Sequence, residues 1–430
     1  ICNYVILGVV RKESQMNDKD LLIALDVGTT KVCTIIGAPN PENDSLEIIG
    51  VGSHPSYGLK KGSVVNIDKT IRSIRCSLEE AKMMAGISDV NSATIGIAGN
   101  HIYCFNSSGV VAVKGKEITA EDVDRVVEAA KAVLIPSDRE VLHVIPQEFR
   151  VDSTKGVKNP IGMCGSRLEA HVHIVTGKTP LIQNLIKCVE ATGIQAKDVI
   201  LQPIASSRSV LTQEEKELGV VLIDVGGGTT DLAVWKDGSL IHSQIIPVGG
   251  NHFTNDLAVA LKIPHNEAER IKVNHGCVLA EKVNQTAHIT VNGLSNTKAR
   301  EVTIGQIAEV LGARAEELFN IILKTLEEKN LLELVNGGFV VTGGGSLIKG
   351  IAELGEYIVE RPVKVGYPNP FGGMTNVMQN PKFSTVLGLL LESYKVAPNN
   401  KERVNRKYNN EQDLFGRFGE SIKNVFKEIF

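Results

Sequence analysis

The sequence predicts an α/β protein of two similar domains, each a mixed sheet covered by helices, and two observations carry that prediction. The first is a near-repeat: LIALDVGTTK at residues 22–31 is echoed by VLIDVGGGTTD at 221–231. Each copy is an apolar strand ending in Asp-Val-Gly. Each continues into a second apolar run, Val32 to Gly37 and Leu232 to Trp235, and a third, Leu46 to Val51 and Leu240 to Val248. The second observation is that amphipathic helical segments fall between these strand meanders, the layer pattern of helices on a sheet.

Along the chain, Tyr4 to Val10 is apolar but short, and its basic pair, Arg11 and Lys12, follows the run, whereas a signal peptide places positive charge first. Met16 reads as the natural start, so residues 1–15 are expected to be an upstream or non-native leader. A helix is expected from Asp68 to Ala85 and another from Thr119 to Leu134, with Thr119 and Asp122 at capping-box spacing and Val123, Val126, Val127, Ala130 and Val133 inward. Asp237-Gly238 is a strong hairpin signal between the last two runs of the second copy. Thr303 and Gln306 cap a helix carrying Ile304, Ile307, Val310, Leu311, Leu318, Ile321 and Ile322. A third glycine cluster follows the strand Phe339 to Thr342, with Ser346 as the expected cap of a helix from Leu347 to Val359. Beyond Lys395 the chain turns into a polar linker, 396–413, and then into an apolar helical pattern at 414–430.

A 430-residue chain with 43% hydrophobic residues can build substantial cores. Its net charge of −3 supplies no basic field for nucleic acid. The seven cysteines have no C-x-x-C pair and no zinc-like spacing, and read as reduced thiols in cytoplasm. His171 and His173 alternate on one strand face, but two ligands do not make a metal site. No run reaches the roughly 18 apolar residues of a spanning helix, so membrane contact is expected to be peripheral.

The glycine turns carry the chemistry. Backbone N–H groups in such a turn converge on an anion, and glycine lets phosphate approach where a Cβ would clash. The first turn offers Gly28, Thr29, Thr30 and Lys31; the second offers Gly226, Gly227, Gly228 and Thr229. Asp26 and Asp224 sit at the strand ends, where carboxylates suit Mg²⁺ held through water. A strand follows each turn and no GK[ST] occurs, which separates these turns from a P-loop or a Rossmann turn. The third cluster, Gly343, Gly344 and Gly345, can lie against an adenine or ribose, or form an ordinary strand-to-helix loop.

The ordered set DVGTTK, DVGGGTTD and VTGGG resembles the phosphate and adenosine loops of the superfamily uniting actin, heat-shock chaperone ATPases and sugar kinases. VLHVIPQEF at 141–149, VKNPIG at 157–162, IKVNHGC at 271–277 and the tail make the closest resemblance one to the FtsA family of actin-like cell-division proteins. That resemblance implies an actin-like (ribonuclease H-like) two-domain ATPase fold that binds ATP and Mg²⁺. It implies a first domain, 1A, at 16–98 and 178–210, with 384–395 returning to it, and an inserted subdomain, 1C, at 99–177. It implies a second domain, 2A, at 211–256 and 336–383, with subdomain 2B at 257–335 receiving the C-terminal peptide of FtsZ. Self-assembly into filaments, further division partners and a place on the cytoplasmic side of the bacterial membrane at the division site are implied with it. By the same resemblance Glu269 and Lys272 flank ribose and adenine, though on a helix they could equally be an exposed ion pair. Gln202 matches the position that orients water in polymerising relatives, or is a hydrogen-bonding residue at a hinge; a Gln is a poor base, so hydrolysis should be slow at most.

A sugar-kinase enzyme would share the turns but leaves the insert and tail without a role. A pilus or secretion scaffold would share ATP binding and the insert. The tail distinguishes the division reading from both. Leu414, Phe415, Phe418, Ile422, Val425, Phe426, Ile429 and Phe430 recur mostly at spacings of three and four, which gathers them in one stripe suited to the membrane interface.

Overall fold

In the first sheet, β1 (Leu22–Val27), β2 (Lys31–Asn40) and β3 (Ser45–Pro55) form an antiparallel meander. The structure is a computed structural model that describes residues 21–40, 45–293, 299–369, 372–373 and 379–396. A small hairpin, β4 (Leu59–Lys60) and β5 (Ser63–Val64), leads to α1 (Ile67–Ala85). The side chain of Asn66 caps α1 by accepting from the Lys69 amide, and Gly86 closes it in the left-handed region at φ 69°. Then β6 (Ser92–Ile97) joins β1 in parallel.

The chain next builds a separate sheet from β7 (Ile102–Ala112), β8 (Arg139–Val151), β9 (Thr154–Val157) and β10 (Arg167–Lys178), covered by α2 (Ala120–Lys131). The expected capping box forms: the Thr119 hydroxyl accepts from the Asp122 amide, and the Asp122 carboxylate accepts from the Thr119 amide. The helix stops at Lys131 rather than Leu134. Leu134 is fully exposed, Val133 is more than a third exposed, and Pro136 can donate no hydrogen bond to continue the ladder.

After α3 (Thr179–Glu190), β11 (Gln195–Leu201) adds in parallel to β6, and α4 (Gln202–Val210) and α5 (Gln213–Leu218) lead to the second sheet. That sheet repeats the first: β12 (Val220–Val225), β13 (Thr230–Lys236) and β14 (Ser239–Ile246) form the meander. The Asp237-Gly238 turn between β13 and β14 takes positive φ at both residues, 49° and 72°. The orders β3-β2-β1-β6-β11 and β14-β13-β12-β17-β18 are therefore the same topology twice, with β17 (Phe339–Thr342) and β18 (Val363–Val365) as the parallel pair.

Between these strands lie α6 (Gly250–Ala260), α7 (His265–His275), the ribbon β15 (His288–Val291) and β16 (Arg300–Thr303), and α8 (Ile304–Glu328). The capping box of Thr303 and Gln306 opens α8, and Ile307, Leu311, Leu318 and Ile322 bury its inner stripe. Ser346 does not cap a helix. The chain after Gly343 makes a 3-10 turn, Gly344–Leu347, in which the Ser346 hydroxyl donates to the Gly343 carbonyl at 2.8 Å, and α9 (Ile351–Val359) starts only after Gly350. A tight turn is required because this segment runs directly against Val225.

The short β19 (Gly372–Gly373) pairs with β3, and α10 (Ser384–Val396) packs across β1, β2 and β6 and against α4. The expected leader 1–15, the linker from residue 397 and the tail 414–430 lie outside the described residues.

Candidate nucleotide site between the two sheets

Both Asp-Val-Gly turns close alike. Gly28 donates its amide to the Lys31 carbonyl, and Gly226 donates to the Thr229 carbonyl, each at 3.0 Å. The two turns meet tip to tip. A Cβ on Gly227 would stand 2.3 Å from Thr30 Cγ2, and one on Gly228 would stand 2.5 Å from Thr29 Oγ1, so only glycine permits this approach. Gly226 and Gly227 turn their carbonyls to the start of α6, accepting from the amides of Gly250 and Asn251 at 2.8 Å. Among the described hydrogen bonds none takes the amides of Gly227, Gly228, Thr29 or Thr30, which leaves these donors free for an anion.

The third cluster touches the second turn. Gly343, at φ 81°, lies where a Cβ would be 2.2 Å from Asp224 Oδ1, and Gly345 packs on Val225. Around Gly344 there is open space. On the other side, α7 projects Lys272, whose ammonium donates to Glu269 at 2.7 Å, to Thr254 Oγ1 at 2.8 Å and to the Gly250 carbonyl at 3.1 Å. Lys272 is thus bound to the helix start that holds the second turn, while Glu269 is nearly half exposed.

Asp26 and Asp224 both lie buried at the strand ends. Burial pushes Asp26 up to about 6, offset in part by the Lys31 ammonium and raised further by Asp224. Burial also raises Asp224 above the ordinary carboxylate range, against hydroxyl bonds from Ser206 and Thr385. Lys31 donates to the Lys382 carbonyl at 2.5 Å and stands 4.4 Å from the centre of the Phe383 ring, so its charge acts on the carboxylates from the side. Gln202, the first residue of α4, donates its amide to Asp26 Oδ1 at 2.7 Å.

Sequence reasoning passed over Asp231. Strand register sets it opposite Asp224 across the second turn, and its carboxyl is pushed well above the usual range, by burial first and then by Asp224. Its Oδ1 is buried without a hydrogen-bond partner. The signal was present in the last letter of DVGGGTTD: counting outward from the Gly226–Thr229 turn pairs 225 with 230 and 224 with 231. In the first copy the same count pairs Asp26 with Cys33.

Three carboxylates in one buried region, one with an orphaned oxygen, form a donor set that a hard cation suits. Among the described residues no group of three His, Cys, Asp or Glu is close enough to hold a metal directly. His173 is no ligand: its ring nitrogens are 2.6 Å from Asn106 Oδ1 and 2.8 Å from Ser243 Oγ.

Comparison with known proteins gives a consistent picture. The family model described as cell division protein FtsA matches residues 221–388, and the one described as the SHS2 domain inserted in FtsA matches 99–176, the separate sheet with its helix. The chain is 44% identical over 371 residues to the cell division protein FtsA of Pseudomonas aeruginosa, covering 86% of this chain and 88% of that one. It is 40% identical to the FtsA of Borreliella burgdorferi, covering 93% and 98%. Among solved structures, that of the PilM-PilN type IV pilus biogenesis complex aligns at TM-score 0.64 and 15% identity, over 87% of this chain and 98% of that one. MreB5 of Spiroplasma citri bound to ADP aligns at 0.52 and 17%, over 92% and 100%. At these identities the structural likeness speaks for an actin-like fold.

Proposed function

The chain belongs to the FtsA family of cell division proteins, and on that premise we propose that it binds MgATP between its two sheets and polymerises on the cytoplasmic face of the membrane. There it tethers FtsZ filaments and helps to recruit other division proteins. The observation that carries the nucleotide reading is the tip-to-tip meeting of Thr29 and Thr30 with Gly228 and Gly227, which brings together turns from both halves whose tip amides have no partner among the described hydrogen bonds. Phosphates there would be held by backbone donors of both turns, with adenosine between Gly343–Gly345 and the Glu269–Lys272 pair. Mg²⁺ would neutralise phosphate charge, with Asp26, Asp224 and Asp231 oriented toward its waters. Titration calorimetry tests this: ATP should bind in Mg²⁺, and Asp224→Ala should abolish it.

Gln202 gives its amide to Asp26 and a carboxamide is a poor base, so ATP acts as a clamp between the halves and turnover by the monomer is slow. The domain assignment follows the family: 1A at 16–98 and 178–210 with the return segment 384–395, 1C at 99–177, 2A at 211–256 and 336–383, and 2B at 257–335. Subdomain 2B takes the FtsZ C-terminal peptide, at about micromolar affinity or weaker because the peptide is short. No described helix is long and apolar enough to cross a membrane, and the apolar stripe of 414–430 supplies the anchor. Loss of FtsZ binding when its C-terminal peptide is removed checks the 2B assignment.

A further inference from the structure

We propose that Ser206 and Thr385 are positioning residues that aim the Asp224 carboxylate at the metal and couple its aim to the angle between the two sheets. The inference rests on the nucleotide reading above. Asp224 Oδ2 accepts from the Ser206 hydroxyl at 2.5 Å and from the Thr385 hydroxyl at 3.1 Å, and the two hydroxyl oxygens are themselves 3.1 Å apart. With Oδ2 occupied by these donors and Gly343 packed against Oδ1, the carboxylate has one orientation left.

The two donors come from different helices, each of which spans the gap between the sheets. α4 follows directly from β11 of the first sheet and packs on β12 and β13 of the second. α10 lies on β1, β2 and β6, yet its first residue, Ser384, exchanges a hydrogen bond of 2.7 Å with Thr342 at the end of β17. The helices cross where a Cβ on Gly388 would be 1.7 Å from the Ala205 carbonyl oxygen, so they move as a pair about a close contact. Ser209 fastens them again by donating to the Ser384 carbonyl at 2.6 Å.

A rotation of one sheet against the other that shifted α4 and α10 relative to β12 would change the bonds to Asp224 Oδ2. Hydroxyls suit such a joint because each can rotate to donate to the carboxylate or to its neighbour without leaving a buried donor unpaired.

The experiment uses the full chain and calorimetry of ATP with Mg²⁺ and with EDTA. Thr385→Val keeps the side-chain volume but loses a donor to a charged acceptor, a loss that corresponds to about tenfold or more in affinity. The expected result is a roughly tenfold fall in the ratio of ATP affinity in Mg²⁺ to that in EDTA. Ser206→Ala should act in the same direction, and Thr385→Ser should restore the ratio. MgATP should also slow hydrogen exchange across residues 202–210 and 384–396 in the unaltered chain, and do so less in Ser206→Ala. An unchanged affinity ratio in both Thr385→Val and Ser206→Ala would overturn the inference alone. Failure of the unaltered chain to bind ATP in any condition would instead overturn the nucleotide reading, and this inference with it.

Discussion

The side-chain amide of Gln202 donates to Asp26 Oδ1 at 2.7 Å, joining the first residue of α4 to the end of β1 across 176 residues of sequence. A position expected to orient water is thus also a fastening of the carboxylate beside the first turn.

That contact sets the first prediction. Gln202→Glu would place a second carboxylate against the already raised Asp26, and like charges so close do not both stay ionised. MgATP affinity at neutral pH should fall by about tenfold or more, while Gln202→Ala, which only removes a donor, should cost less. Equal losses in calorimetry would mean that the amide, not the charge, is what matters there.

Asp26 also predicts a pH dependence. Its carboxyl is raised from 3.8 to about 6, chiefly by burial. A raised acid stabilises the fold below its unfolded value and loses that contribution as pH rises through the folded value. Without metal, therefore, thermal stability should decline between about pH 4 and 6 on account of this group, and Mg²⁺ with ATP should offset the decline. MgATP affinity should rise over the same interval, by at most about tenfold per unit for one proton. Asp26→Asn should make the stability profile less steep, leaving the slope contributed by the raised Asp224 and Asp231, and an unchanged slope would assign all of it to those two groups.

The meeting of the turns predicts an asymmetry among glycines. Gly227→Ala would drive a Cβ to 2.3 Å from Thr30, and the turns must separate to admit it. ATP affinity should fall by about tenfold or more, since donors from both halves must converge on one anion. Gly344→Ala meets nothing within 4 Å and should leave the fold's stability within about 0.5 kcal/mol of the parent. Thermal melts of both variants with and without ATP check the pair.

Lys272 and Glu269 should differ as well. Lys272 has three partners, among them the Gly250 carbonyl at the start of α6, and Lys272→Met removes all three bonds, leaving only the Thr254 hydroxyl to serve Gly250 or Glu269, at a cost of about 1 to 3 kcal/mol. Glu269 is nearly half exposed, so Glu269→Gln should cost about 1 kcal/mol or less. Urea unfolding of the two variants would show the order reversed if Glu269 were the anchor.

In the proposed anchor, the charges Arg417, Glu420, Lys423, Lys427 and Glu428 sum to +1, so burial of the apolar stripe is expected to supply most of the membrane affinity. Phe418→Glu should release the protein from liposomes and leave ATP binding intact. Sedimentation with lipid at the parent's affinity would reject this segment as the anchor. Polymers, with many tails, should bind far more firmly than monomers.

What the sequence determined by itself was local. Strand, glycine turn and strand are encoded within some thirty residues, so both meanders, the Asp237-Gly238 hairpin and the boxes at Thr119 and Thr303 could be read from spacing, with their hydrogen bonds closing over a few positions. Even Asp231 was within reach of counting from its turn. Tertiary structure alone decided the rest. The helix expected to reach Leu134 ends where packing ends, and Ser346 turns back to Gly343 because the chain there must pass Val225. Thr30 meets Gly227, Gln202 meets Asp26 and Thr385 meets Asp224 only once two sheets dock through α4 and α10. The raised carboxyls belong to the same class: the residue type supplies an acid, but the cost of its charge depends on the water that surrounding chain excludes and on the other carboxylates brought beside it. Those neighbours are remote in sequence, and no local pattern carries them.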